Sequence, residues 1–111
     1  MARLRILPAQ HPGVVLRRLM DHHKINARRL ALDLKIPPMR VSKLLACDRA
    51  VTADTALRLG WYFGNGAEYW TSLQSAYDID RALAKLDGTK TYLEDLPQIA
   101  KPRRAVSHAK R

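Results

Sequence analysis

The chain of 111 residues has one cysteine, one phenylalanine and five glycines. A single cysteine excludes a disulfide framework and any zinc site built from cysteine pairs. No apolar run approaches the ~20 residues that cross a bilayer. Residues 1–7 lack the apolar core of a signal peptide, so the expected setting is the cytoplasm. No glycine-rich loop that would cradle phosphate is present. Alternating β-branched runs are missing too, apart from residues 3–7 and 89–93, two short segments that could pair as a minor sheet. Acidic residues are scarce: 10 Asp and Glu stand against 20 Lys and Arg, a net charge of +10. Such an excess points to a polyanionic partner, with nucleic acid first.

What is present is apolar material enough for one small core, 47% of residues. That predicts one domain with short flanking segments. A domain of this size is marginal alone, so a second subunit would help it. The charge is unevenly placed. Residues 14–49 hold nine basic and three acidic residues, whereas residues 50–96 hold four basic and seven acidic ones. Residues 97–111 hold five basic residues and no acidic one, and read as a disordered basic tail. Two surfaces of opposite sign suggest two partners.

The apolar spacing is helical almost throughout, which predicts an all-α fold of five helices. The first opens near Pro12, where a proline suits the first turn, and buries Val15, Leu16, Leu19 and Met20. Asn26 caps the second, which buries Leu30, Ala31 and Leu34 and ends by Lys35. The third spans about 38–46, the fourth 53–63 behind Thr52, and the fifth about 67–86. The fourth is apolar on most sides, through Ala56, Leu57, Leu59, Trp61, Tyr62 and Phe63, and reads as a central helix. The expected organisation is an arm over 1–11, the helical domain over 12–86, an extension over 87–96 and the tail over 97–111.

The second and third helices carry the chemistry. Ile36-Pro37-Pro38 forces a break, because a residue before proline is pushed out of the α region. Two short helices around a tight break form a helix-turn-helix. Ala31 is small enough for their close crossing, Ile36 is apolar after the turn, and Val41 and Leu44 bury one stripe of the third helix. Pro38, Met39, Arg40, Ser42 and Lys43 remain outside, as residues that would enter a major groove. Arg40 or Lys43 could donate to guanine O6 and N7, Met39 could touch a thymine methyl, and Ser42 could reach a base or a phosphate. Asn26, Arg28 and Arg49 are the phosphate candidates, which position without specifying. Each of these side chains could also be ordinary solvated surface; the spacing and the charge together favour the interface.

At these residues a resemblance becomes specific. His11-Pro12-Gly13, residues 38–45, the run Val51-Thr52-Ala53-Asp54-Thr55-Ala56-Leu57-Arg58-Leu59, Tyr62-Phe63-Gly64 and residues 67–78 together resemble the HigA-type antitoxins of bacterial toxin–antitoxin modules. These form a branch of the Xre-like helix-turn-helix repressors, and the match covers about residues 9–80. The resemblance implies a compact lambda-repressor-like fold and a homodimer on a palindromic operator in its own promoter. It also implies a RelE-like ribonuclease toxin, neutralised by direct binding. Three departures stand out: Lys35 occupies a position where the family often has glycine, Cys47 one where it usually has glycine, and Asp48 replaces a frequent lysine. A left-handed conformation costs a non-glycine residue on the order of 1 kcal/mol. The cap after the third helix would then need rebuilding around Asp48.

Other features carry less. Adjacent His22 and His23 diverge by about 100° on a helix and do not share a metal. Cys47 has no evident base in sequence, and Asp78 and Asp80 do not face each other. The chain therefore reads as non-enzymatic, without catalytic residue, metal, cofactor or small-molecule substrate, and without a membrane partner. Two Trp and four Tyr are many for this size, so part of the fifth helix, around Trp70, Leu73 and Tyr77, is the expected dimer interface. Two further readings compete: a stand-alone Xre-like regulator without a toxin, and a protein-binding module whose basic face is only solvation.

Overall fold

The computed structural model describes residues 9–89 and 92–100. Helix α1 spans Pro12–His23, α2 Ala27–Leu34, α3 Pro38–Leu45, α4 Ala53–Phe63 and α5 Ala67–Gly88, with a 3₁₀ turn at Leu93–Asp95. No strand occurs among the described residues. Of the segments expected to pair as a minor sheet, residues 3–7, 90 and 91 lie outside the described residues, and Leu93 belongs to the 3₁₀ turn. The expected basic tail is described only as far as residue 100.

The helix starts follow from side chains that accept otherwise unpaired amides. His11 Nδ1 accepts from Gly13 N–H at 2.8 Å, Asn26 Oδ1 from Arg29 N–H at 2.9 Å, and Thr52 Oγ1 from Thr55 N–H at 3.3 Å. α3 has no side-chain cap; it begins with Pro38, which has no amide hydrogen to satisfy.

The stops are less ordinary. Lys24, Lys35 and Cys47 all take left-handed backbone, with φ of 56°, 57° and 62°. Each turn returns a later amide to the helix it closes: Ile25 N–H to Met20 C=O at 3.0 Å, Ile36 N–H to Ala31 C=O at 3.1 Å, and Asp48 N–H to Lys43 C=O at 2.9 Å. These are the bonds of a glycine-type C-cap, made here by residues with a Cβ. The expected rebuilding after α3 therefore does not occur: Cys47 itself adopts the glycine conformation.

The core runs through all five helices. Leu16, Leu30, Val41, Leu44, Ala56, Leu59 and Trp70 are essentially inaccessible, and each large member contributes roughly 1.5–3 kcal/mol by leaving water. α4 and α5 form a tight antiparallel pair, because Gly60 lets the backbone of Gly66 approach where a Cβ would collide. The Trp70 indole fills the space beneath them, its Nε1–H donating to Asn65 Oδ1 at 2.9 Å.

Two expectations fail on α4 and α5. Trp70, expected at a dimer interface, is 0% exposed within the single chain and has no surface to give a second protomer. Leu73 and Tyr77 are half-buried. Conversely α4 is not surrounded by core. Thr55, Ala56, Leu59 and Gly60 face inward, but Leu57 is 64% and Trp61 90% exposed. No described helix covers that side.

Candidate nucleic-acid interface

The unit α2–turn–α3 is held by contacts that leave one side of α3 open. Ala31 is buried at the crossing, Ile36 is buried after the turn, and Val41 and Leu44 point into the core. A second clamp comes from α1. Gly13 lies against the Leu44 carbonyl so closely that a Cβ there would overlap it. His11, which caps α1, is buried at this joint and meets the Tyr77 ring edge-on, with centroids 4.9 Å apart. Burial holds the His11 imidazole below the usual histidine range, against the opposing pull of the Arg49 carbonyl. From the other side Val51 N–H donates to the buried Gln74 Oε1 at 2.8 Å, and Gln74 Nε2 donates to Asp78 at 2.9 Å. The loop after α3 is thereby fixed to α5.

Pro38, Met39, Ser42 and Lys43 are exposed together on the free side of α3, as the sequence predicts. Arg40 differs. Its side chain is only 25% exposed, and Nη1 pairs with Asp54 Oδ2 at 3.1 Å. Arg58 Nε meets the same oxygen at 3.0 Å. The Arg58 guanidinium also donates through Nη1 to the Leu34 carbonyl at 2.7 Å, so it satisfies the end of α2. Hydrogen bonding from Arg58, then the charge of both arginines, keeps the Asp54 carboxyl below the usual carboxylate range. One carboxylate thus links α3, α4 and the α2 end. Sequence reasoning missed Asp54 and Arg58 as part of this unit, although their i,i+4 spacing on α4 was a readable signal.

Asn26, Arg28 and Arg49 are all exposed. The Asn26 side-chain oxygen is engaged as a cap, which leaves its amide N–H groups as donors. Arg29 pairs with Asp33 at 3.2 Å, and Tyr62 of α4 donates to the same Asp33 oxygen. That hydrogen bond, with Arg29, lowers the Asp33 carboxyl. Lys43, Arg28 and Arg49 have no ion-pair partner among the described residues. Among the candidate residues, these three are cations able to meet phosphate or base edges without breaking an ion pair to a described residue. No group of three or more possible metal ligands occurs among the described residues, and none of the described helices is long and apolar enough to cross a membrane.

No family model matches the chain. Among curated proteins it is 42% identical over 77 residues to virulence-associated protein I of Dichelobacter nodosus, across 68% of this chain and 71% of that protein. Among solved structures it is similar to an addiction module antidote protein of a HigA family from Coxiella burnetii. There the identity is 40% and the TM-score 0.73, over 83% of this chain and 99% of that one. It is also similar to the Pseudomonas aeruginosa antitoxin HigA, solved with the higBA promoter. That match has 30% identity and a TM-score of 0.74, again over 83% and 99% of the two chains.

Proposed function

The chain belongs to the HigA family of addiction-module antidote proteins, and on that premise we propose that it is a cytoplasmic antitoxin that represses its own operon. Its α3 enters the major groove of a palindromic operator as one half of a homodimer. Lys43 reads a base edge, with Met39 and Ser42 beside it, and Pro38 sets the entry angle. Arg40 works from its ion pair with Asp54, either aligning α3 or exchanging the carboxylate for a base. Arg28, Arg49 and the Asn26 amide hold phosphates. A RelE-like ribonuclease is the toxin it binds, and its basic character would be drawn to the acidic residues of 50–96.

The observation that carries the DNA reading is the open face of α3, with Lys43, unpaired among the described residues, at its centre, on a helix clamped from three sides. The test is duplex binding with the natural promoter at several salt concentrations. Log K should fall against log salt with a slope near −0.9 per phosphate contacted. Lys43→Ala should lose roughly 1–3 kcal/mol of discrimination between operator and scrambled duplex, whereas Arg28→Ala should weaken both alike. Salt-independent binding, or an unchanged operator preference in Lys43→Ala, overturns this assignment. The antitoxin half is tested separately, by co-expressing the neighbouring gene product and asking whether this chain restores growth and co-purifies with it.

A further inference from the structure

Three parts of the fold meet at one carboxylate: the end of α2, α3 and the start of α4. Asp54 stands in the first turn of α4, where the helix dipole favours an anion. Arg58, four residues on, bonds its Oδ2 through Nε at 3.0 Å and the Leu34 carbonyl through Nη1 at 2.7 Å. Arg40 reaches the same Oδ2 from α3, through Nη1 at 3.1 Å. A lone ion pair in water positions little. This carboxylate is different: its own helix and Arg58 already fix it, and the bond to the Leu34 carbonyl fixes Arg58. Hydrogen bonding and charge from the arginines also keep it ionised.

The pairing leaves Arg40 able to donate further. A guanidinium carries five N–H donors in one plane. The Asp54 contact uses Nη1 and does not need the fork formed by Nε and Nη2. Such a fork matches the O6 and N7 acceptors of guanine. The Arg40 side chain remains partly exposed. Lys43, three residues on and exposed, is its neighbour along the α3 surface.

We propose that Asp54 is a positioning residue for base reading: it holds the Arg40 guanidinium in place while the Nε–Nη2 fork meets a guanine. The inference rests on the DNA-binding reading and narrows the part Arg40 plays in it. The pair does more than align α3, and it does not give way to the base; it stays intact in the complex. Immobilising a long side chain at an interface lowers affinity about 2- to 13-fold, and Asp54 meets part of that loss before DNA arrives. The gain falls on sequence preference, because two adjacent acceptors in the major groove mark guanine. Phosphate contacts carry no sequence information, so a scrambled duplex gains nothing from a fixed fork.

The experiment reads the ratio of operator to scrambled-duplex affinity for the full chain, a ratio in which a general change of charge cancels. The variants are Asp54→Asn, Arg40→Ala, the two combined, and Arg40→Lys. Asp33→Asn is the control, since Asp33 is also paired with an arginine of its own helix, but on α2. Helix content and melting show that each variant folds. Arg40→Ala should lower the ratio about 5- to 150-fold and Asp54→Asn about 2- to 13-fold, while Asp33→Asn leaves it unchanged. Added to Arg40→Ala, Asp54→Asn should lower it no further, because both act through one side chain. Arg40→Lys decides even where Asp54→Asn does not fold. It keeps the charge and the Asp54–Arg58 pair, but an ammonium has no planar fork, so the ratio should fall as far as in Arg40→Ala. An unchanged ratio in Arg40→Lys or in folded Asp54→Asn overturns the proposal. So does an equal loss from Asp54→Asn with and without Arg40, since Asp54 would then act through the fold. A parent with no preference for operator removes the DNA reading and this proposal together. A parent whose preference is lost in Lys43→Ala but untouched in Asp54→Asn removes this proposal alone.

Discussion

The outward faces of α3 and α4 differ in chemistry, although one carboxylate joins the two helices. α3 turns Met39, Ser42 and Lys43 to solvent, with a free cation among them; α4 turns out Leu57 and Trp61. The first face suits a hydrated, charged partner and loses affinity as salt rises. The second suits a partner that removes apolar surface from water, an attraction that added salt does not screen. The contrast is sharpest between two tryptophans nine positions apart. Trp70 is wholly enclosed and hydrogen-bonded, whereas Trp61 is 90% exposed.

The most severe way to sharpen that contrast is to remove each indole in turn. Trp70→Ala deletes the largest core side chain and should cost about 3–5 kcal/mol of stability, enough to unfold much of a marginal domain. Trp61→Ala should change the stability of the dilute monomer by less than about 0.5 kcal/mol. Chemical denaturation of both variants at low protein concentration checks this. Equal losses would mean that Trp61 is covered by its own chain and that the two faces are not distinct.

Much of α1 to α4 was legible because its signals are local. Pro12, Asn26, the Pro37-Pro38 pair, Thr52 and the Gly64–Gly66 turn act within one or two turns of where they stand, and the helices begin beside them. The open face of α3 was legible for the same reason: its buried stripe, Val41 and Leu44, has helical spacing. What was not legible depended on neighbours distant in sequence. Nothing in residues 53–63 says which apolar side lacks a covering helix, so Leu57 and Trp61 read as core. Nothing near Arg40 reveals that Asp54, 14 positions on, takes its guanidinium. The Trp70 side chain was misplaced because its spacing marks an apolar face without saying whether that face meets this chain or another.

A milder change touches the α3 side alone. Lys35 and Cys47, which flank α3, hold left-handed backbone that favours glycine. Lys35→Gly and Cys47→Gly should each stabilise the fold by up to about 1 kcal/mol, the relieved strain being partly offset by the freer unfolded chain. Thermal melts check the sign. Destabilisation would mean that the lysine and cysteine side chains make contacts worth more than the strain.

The smallest expected effect is the pH dependence at the joint that holds α3 in place. His11 is buried there, and its Nδ1 accepts the Gly13 amide that starts α1. Protonation destroys that acceptor, and burial holds the folded-state pKa below the ordinary histidine value of about 6.5. Below that value the unfolded chain therefore binds the proton more readily than the folded one. The sign follows from linkage: the His11 contribution is fully present above pH ~6.5 and is lost as pH falls from there toward the folded pKa. Melting temperatures between pH 7.5 and 5.5 should decline with acid, and His11→Asn, which keeps a capping oxygen but does not titrate, should flatten that part of the decline. A decline that His11→Asn leaves unchanged would place the titrating group outside this joint.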